Sequence, residues 1–100
     1  MPRELKTMKR NQLVRCLESE LDEWTKISFG ELKARLKEAC AYERGEPPNQ
    51  YQVEVQLLES TPEYLHISIG VDSGFLRSFK PLAASFVLFR DGRVERASVS

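Results

Sequence analysis

The sequence predicts one α+β domain: an N-terminal antiparallel helical hairpin packed on one face of a four-stranded antiparallel meander, in the order α-α-β-β-β-β. Three observations predict it. The first 45 residues carry apolar side chains at helical spacing, the second half carries them at alternate positions, and an Asp-Gly pair joins the last two apolar runs. Helices followed by strands, rather than alternating with them, place the helices together on one side of an antiparallel sheet. The 100 residues suit a single domain, divided into a helical hairpin over 1–45 and a sheet over 50–100.

The first helix is expected from Arg3 or Leu5 to Trp24. Leu13, Leu17, Leu21 and Trp24 recur at spacings of four and three, and Leu5 and Cys16 extend the stripe. The basic residues of this segment precede its acidic ones, Glu18, Glu20, Asp22 and Glu23. That order opposes the helix dipole, so residues 3–10 are expected to fray unless something holds them.

Ser28-Phe29-Gly30-Glu31 has the spacing of a capping box and starts the second helix. Ile27 precedes the cap and is placed to staple against Leu32. Phe29, Leu32, Leu36 and Cys40 form a narrow apolar stripe that carries the predicted helix to Gly45, where Pro47 and Pro48 prevent its continuation. The short link between the two helices makes them an antiparallel pair.

Tyr51, Val53, Val55 and Leu57 alternate with Gln52, Glu54 and Gln56 in the first predicted strand. Leu65, Ile67, Ile69 and Val71 alternate with Tyr64, His66 and Ser68 in the second. A connection over 59–63 pairs Leu57 with Leu65, Val55 with Ile67 and Val53 with Ile69, which puts every apolar side chain on one face. The segment 72–81 reads as a long connection. Ser85 to Phe89 is the third strand, apolar on both faces, and Arg93 to Val99 is the fourth, returning through Asp91-Gly92. A strand apolar on both faces needs a second cover. The 72–81 loop is one such cover, and a second copy of the chain, giving a homodimer through the sheet, is the other.

Fifteen basic residues balance fifteen acidic ones, which removes the simplest argument for a nucleic-acid or membrane partner. The balance is uneven along the chain: residues 1–15 carry a net +4, residues 16–63 a net −6 and residues 64–100 a net +2. No apolar run approaches the roughly 20 residues of a membrane helix, so no membrane association is expected. The first residues lack an apolar signal core, which makes the cytoplasm the expected compartment.

One histidine, and two cysteines far apart in the chain, supply no metal-ligand set, so no metal or cofactor is expected. Cys16 and Cys40 both lie on apolar stripes and read as two buried structural thiols. In the register above, Glu54, His66 and Ser68 share the solvent face of the sheet. An open face offers neither the buried acid nor the oxyanion donors that a catalytic triad requires, so no enzymatic activity is expected.

The remaining candidates combine arginines with aromatics. Arg90 and Arg93 flank the Asp91-Gly92 turn, and Arg77 and Lys80 alternate with Phe75 and Phe79 in the preceding loop. Phe75, Arg77, Phe79, Lys80, Arg90 and Arg93 are therefore the expected partner-binding residues, with the two phenylalanines as anchors and the cations steering toward acids on the partner. The expected function is a small non-enzymatic protein-binding module of the adaptor, inhibitor, immunity or antitoxin type. The alternative is nucleic-acid binding by the same hairpin and the basic N-terminus through Arg3, Lys6, Lys9, Arg10 and Arg15.

Overall fold

A computed structural model describes residues 10–46, 49–72 and 82–97. Two helices, α1 (Arg10–Trp24) and α2 (Phe29–Arg35), precede five strands: β1 (Cys40–Arg44), β2 (Tyr51–Ser60), β3 (Tyr64–Asp72), β4 (Leu82–Phe89) and β5 (Val94–Arg96). The strands form one antiparallel sheet in the order β1-β2-β3-β4-β5. The α+β class stands, and the sheet has five strands rather than four.

The extra strand comes out of the predicted second helix. Ser28 caps α2 as expected, its Oγ accepting from the Glu31 amide at 3.3 Å. The Glu31 carboxylate, however, turns to Arg35, 2.6 Å away, instead of reaching back to the cap. The last helical hydrogen bond is Leu36 N–H to Leu32 C=O, and the chain then leaves the helix. Cys40 to Arg44 pair instead with Val55 to Tyr51. The stripe Phe29, Leu32, Leu36, Cys40 has helical spacing, but Cys40 and Tyr42 also alternate with Ala41 and Glu43. Backbone pairing to β2 selects the second pattern.

The core lies between the helices and one face of the sheet. Leu13, Leu17, Leu21 and Trp24 of α1 are buried, as are Leu32 and Leu36. They meet Val53 and Val55 of β2, Leu65, Ile67, Ile69 and Val71 of β3, and Leu82, Ala84, Phe86 and Leu88 of β4. The alternation predicted for β2 and β3 is therefore the observed one, whereas β4 starts at Leu82, ahead of the expected Ser85. The predicted start of α1 at residues 3–5, and Leu5 itself, lie outside the described residues.

The register differs from the expected one by two residues. Val53 faces Val71, Val55 faces Ile69 and Leu57 faces Ile67. The reason is a tighter turn: Thr61 Oγ1 accepts from the amides of Glu63 and Tyr64, at 3.1 and 3.0 Å, so β2 runs to Ser60 before reversing. An irregularity between Leu57 and Glu59 absorbs one residue and leaves Leu58 exposed. Because the net slip is even, the apolar face is unchanged.

Asp91-Gly92 makes the β4–β5 turn. Gly92 has φ of +96°, a left-handed conformation that glycine adopts without steric cost, and Asp91 Oδ1 accepts from the Arg93 amide at 3.0 Å. Strand β5 covers Val94–Arg96 and the Ala97 amide still donates to the Ser85 carbonyl at 2.9 Å; the predicted continuation to Val99 lies outside the described residues.

Candidate functional site

Among the described residues, polar chemistry gathers in two regions, one inside the core and one on the face of the sheet away from the helices. The inner one centres on Glu20, the only charged side chain buried among the described residues. It sits three residues after Leu17 and four before Trp24, so helical geometry turns it onto the apolar face of α1. A buried carboxylate is costly unless its oxygens are satisfied. Tyr42 donates its hydroxyl to Oε1 at 2.5 Å, Tyr51 donates to Oε2 at 3.2 Å, and Arg44 Nε approaches Oε2 at 2.8 Å. Trp24 Nε1 in turn donates to the Tyr42 hydroxyl at 2.8 Å, and the Arg44 guanidinium also pairs with Glu23 at 3.0 Å. No buried side-chain polar atom among the described residues lacks a partner.

The electrostatics follow from this packing. Burial, together with donation to the Glu20 carboxylate, pushes Tyr42 up to about 12. Burial and the Glu20 charge also raise Tyr51. Burial raises the Cys16 thiol, with Glu20 adding to the effect against a lowering hydrogen bond from Tyr51. A raised thiol is a poor nucleophile, which fits the structural role expected of Cys16. Cys16 and Cys40 are both free as expected, but half-buried rather than buried, since each sits at the margin of the core. The cluster thus keeps its protons and its carboxylate fully engaged, and its evident role is to fasten α1 to β1 and β2.

The opposite edge of the sheet grips the same end of α1. Arg96 of β5 reaches Asp22 at 2.9 Å and the Thr25 hydroxyl at 3.3 Å. Side chains from β1 and β5 thus both close on the C-terminal half of this helix.

The outer face is different. No element among the described residues covers it. Its register places Ala41, Glu43, Gln52, Glu54, Gln56, Ser68, Gly70, Asp72 and Ala83 around a shallow trough of about 570 Å³. At the other end of β3 and β4, the Tyr64 and Phe89 rings lie with centroids 6.1 Å apart, tilted by 60°. The Arg93 guanidinium sits over the Phe89 ring at 4.1 Å, a cation–π contact. Glu63, Phe89, Arg90, Asp91 and Arg93 line a smaller hollow of about 360 Å³ at this corner. The pairings place the carboxylates of Glu43, Glu54, Glu59, Asp72 and Glu95 on the same face.

The predicted site residues divide accordingly. Arg90 and Arg93 stand at the exposed turn as expected, with Arg93 held by Phe89. Phe75, Arg77, Phe79 and Lys80 lie outside the described residues, as do Arg3, Lys6 and Lys9. Glu54, His66 and Ser68 share the outer face as expected, but in a different register: Glu54 pairs with Gly70, His66 with Glu59 and Ser68 with Gln56. The Glu20 cluster was missed, although an acid inside the stripe Leu17, Leu21, Trp24 was a visible signal. Among the described residues, no group of acidic, histidine and cysteine side chains is arranged to hold a metal, and no helix is long and apolar enough to cross a membrane.

No family model matches the chain, and neither a curated protein nor a solved structure matches it.

Proposed function

We propose that the chain is a non-enzymatic protein-binding module whose docking surface is the outer face of the sheet, anchored at the Tyr64–Phe89–Arg93 corner. The observation that carries this reading is the one-sided roof. Both helices pack on one face of the sheet, while the other presents two half-buried aromatic rings, a stacked arginine and Val87. Aromatic rings and arginine are the side chains enriched at the energetic centres of protein interfaces. Arg90, beside that corner, belongs to the same proposed surface, as do Phe75, Arg77, Phe79 and Lys80 from the sequence reading.

The charge on this face favours a heterologous partner over a second copy. Two such faces laid together would oppose the carboxylates of Glu43, Glu54, Glu59, Asp72 and Glu95. The same carboxylates would repel a phosphate backbone, so nucleic-acid binding ranks second and would have to use Arg90 and the basic N-terminal residues. The proposed compartment remains the cytoplasm.

The test is a pull-down with the full chain, with and without nuclease, comparing the wild type with Phe89→Ser/Arg93→Glu and with the exposed helix control Lys33→Gln on α2. Nuclease-resistant capture that is lost in the first variant and kept in the second supports the reading. Nuclease-sensitive capture, or capture indifferent to the outer-face variant, overturns it.

A further inference from the structure

The manner in which β1 is held sets it apart from the rest of the sheet. As an edge strand, it pairs on one side only, with Tyr51 to Val55 of β2. None of its five residues is fully buried, although Cys40 and Tyr42 pack partly against the core. By contrast, β3 and β4 each bury four residues completely in the alternating pattern that ties them to the helices. Non-helical backbone bounds β1 on both sides. Upstream, α2 has ended at Leu36. Downstream, Gly45 has φ of +79° and opens the link to β2.

Beyond the ladder to β2, the strand's polar connection to the helical layer is made by Tyr42 and Arg44. Tyr42 donates to Glu20 Oε1 at 2.5 Å and accepts from Trp24 Nε1 at 2.8 Å. Arg44 approaches Glu20 Oε2 at 2.8 Å and Glu23 at 3.0 Å. One buried carboxylate therefore receives both polar side chains that β1 sends inward. Segments with few buried contacts open at a lower free energy than the core, and Glu20 is the group that Tyr42 and Arg44 share.

We propose that β1 is a releasable edge strand and that Glu20 is its latch, so that β1 detaches as a unit while the β2–β3–β4 core stays folded. This device is independent of the outer docking face. Strand β1 covers only half of β2, since Gln56 to Ser60 have no β1 partner. Releasing the latch bares this edge of β2 along its whole length, and an open edge is a template for pairing with another strand.

Amide hydrogen exchange on the full chain tests this, with Glu20→Ala and the milder Tyr42→Phe as variants and Leu17→Ala as a core control. In the wild type the amides of Cys40 to Arg44 should exchange at least about tenfold faster than those of β3 and β4 while remaining protected, because β1 opens without the core. Both latch variants should accelerate β1 about tenfold or more. Leu17→Ala, whose core packing outlasts detachment of β1, should accelerate β3 and β4 while leaving β1 within about twofold. If Glu20→Ala does not fold, Tyr42→Phe decides alone. A β1 as slow as β3 and β4 in the wild type, or accelerated equally with them by Leu17→Ala, overturns the proposal. So do unchanged β1 rates in the latch variants, or a β1 that is unprotected in the wild type.

Discussion

Arg44 Nε lies 2.8 Å from Glu20 Oε2, so a guanidinium on the edge strand closes over a carboxylate that α1 carries into the core. The pair is asymmetric: the Arg44 side chain is 43% exposed, the Glu20 side chain only 1%. Removing Glu20 and removing Arg44 therefore have different consequences. Glu20→Ala leaves the Tyr42 and Tyr51 hydroxyls without their acceptor and should cost about 1–3 kcal/mol, the range for a buried donor left unsatisfied. Glu20→Gln keeps an acceptor and should cost less. Urea unfolding at neutral pH measures both, and a Glu20→Ala loss below about 1 kcal/mol would show that the cluster is not a fastening.

The same cluster makes stability depend on alkaline pH. An unfolded tyrosine titrates near 10, whereas Tyr42 is pushed up to about 12 by burial and by donation to Glu20. Tyr51 is raised in the same direction. The folded chain thus holds these protons more tightly than the unfolded chain. The resulting stability is fully present below about pH 10 and is lost as pH rises through about 12. Tyr42→Phe should flatten that part of the decline. Unfolding midpoints measured across this window, beside tyrosinate absorbance, check it. A wild type and a Tyr42→Phe variant with identical alkaline slopes would contradict the assignment.

Two left-handed glycines should respond unequally to alanine. A Cβ at Gly92, with φ of +96°, meets nothing within 4 Å, so Gly92→Ala carries only the backbone strain of about 1 kcal/mol. A Cβ at Gly45, with φ of +79°, would stand 2.6 Å from the Asn49 carbonyl oxygen, so the chain itself must shift. Gly45→Ala should cost clearly more, about 2–3 kcal/mol. Thermal unfolding of the two variants side by side gives the order, and equal losses would contradict it.

Burial separates two apolar residues that the sequence lists alike. Ile67 is fully buried, so Ile67→Ala should cost about 2–5 kcal/mol. Leu58 is 52% exposed at the β2 irregularity, so Leu58→Ser should stay within about 0.5 kcal/mol. Denaturant midpoints distinguish them. A large loss at Leu58 would mean that the irregularity carries packing the geometry does not show.

Local patterns made much of the fold legible. The stripe from Leu13 to Trp24, the alternation from Tyr51 to Val71, the Ser28 cap and the Asp91-Gly92 turn each depend on residues within a few positions of one another. Each appears in the structure where its spacing places it. Such signals specify which face of an element is apolar, and that is enough to put the helices on one side of the sheet.

Tertiary contacts decided the rest. Lys37, Glu38 and Ala39 suit a helix as well as Phe29 to Arg35 do. What ends α2 is the pairing of Cys40 to Arg44 with a strand that begins only at Tyr51. The register of β2 on β3 was free to slip by two residues because an even slip leaves the apolar face intact, and the Thr61 turn chose between the two. Glu20 stood in view inside an apolar stripe, but its partners come from positions 42, 44 and 51. Periodicity reports which way a side chain points along its own element. Only the folded chain supplies what it meets there, because that contact joins residues more than twenty positions apart.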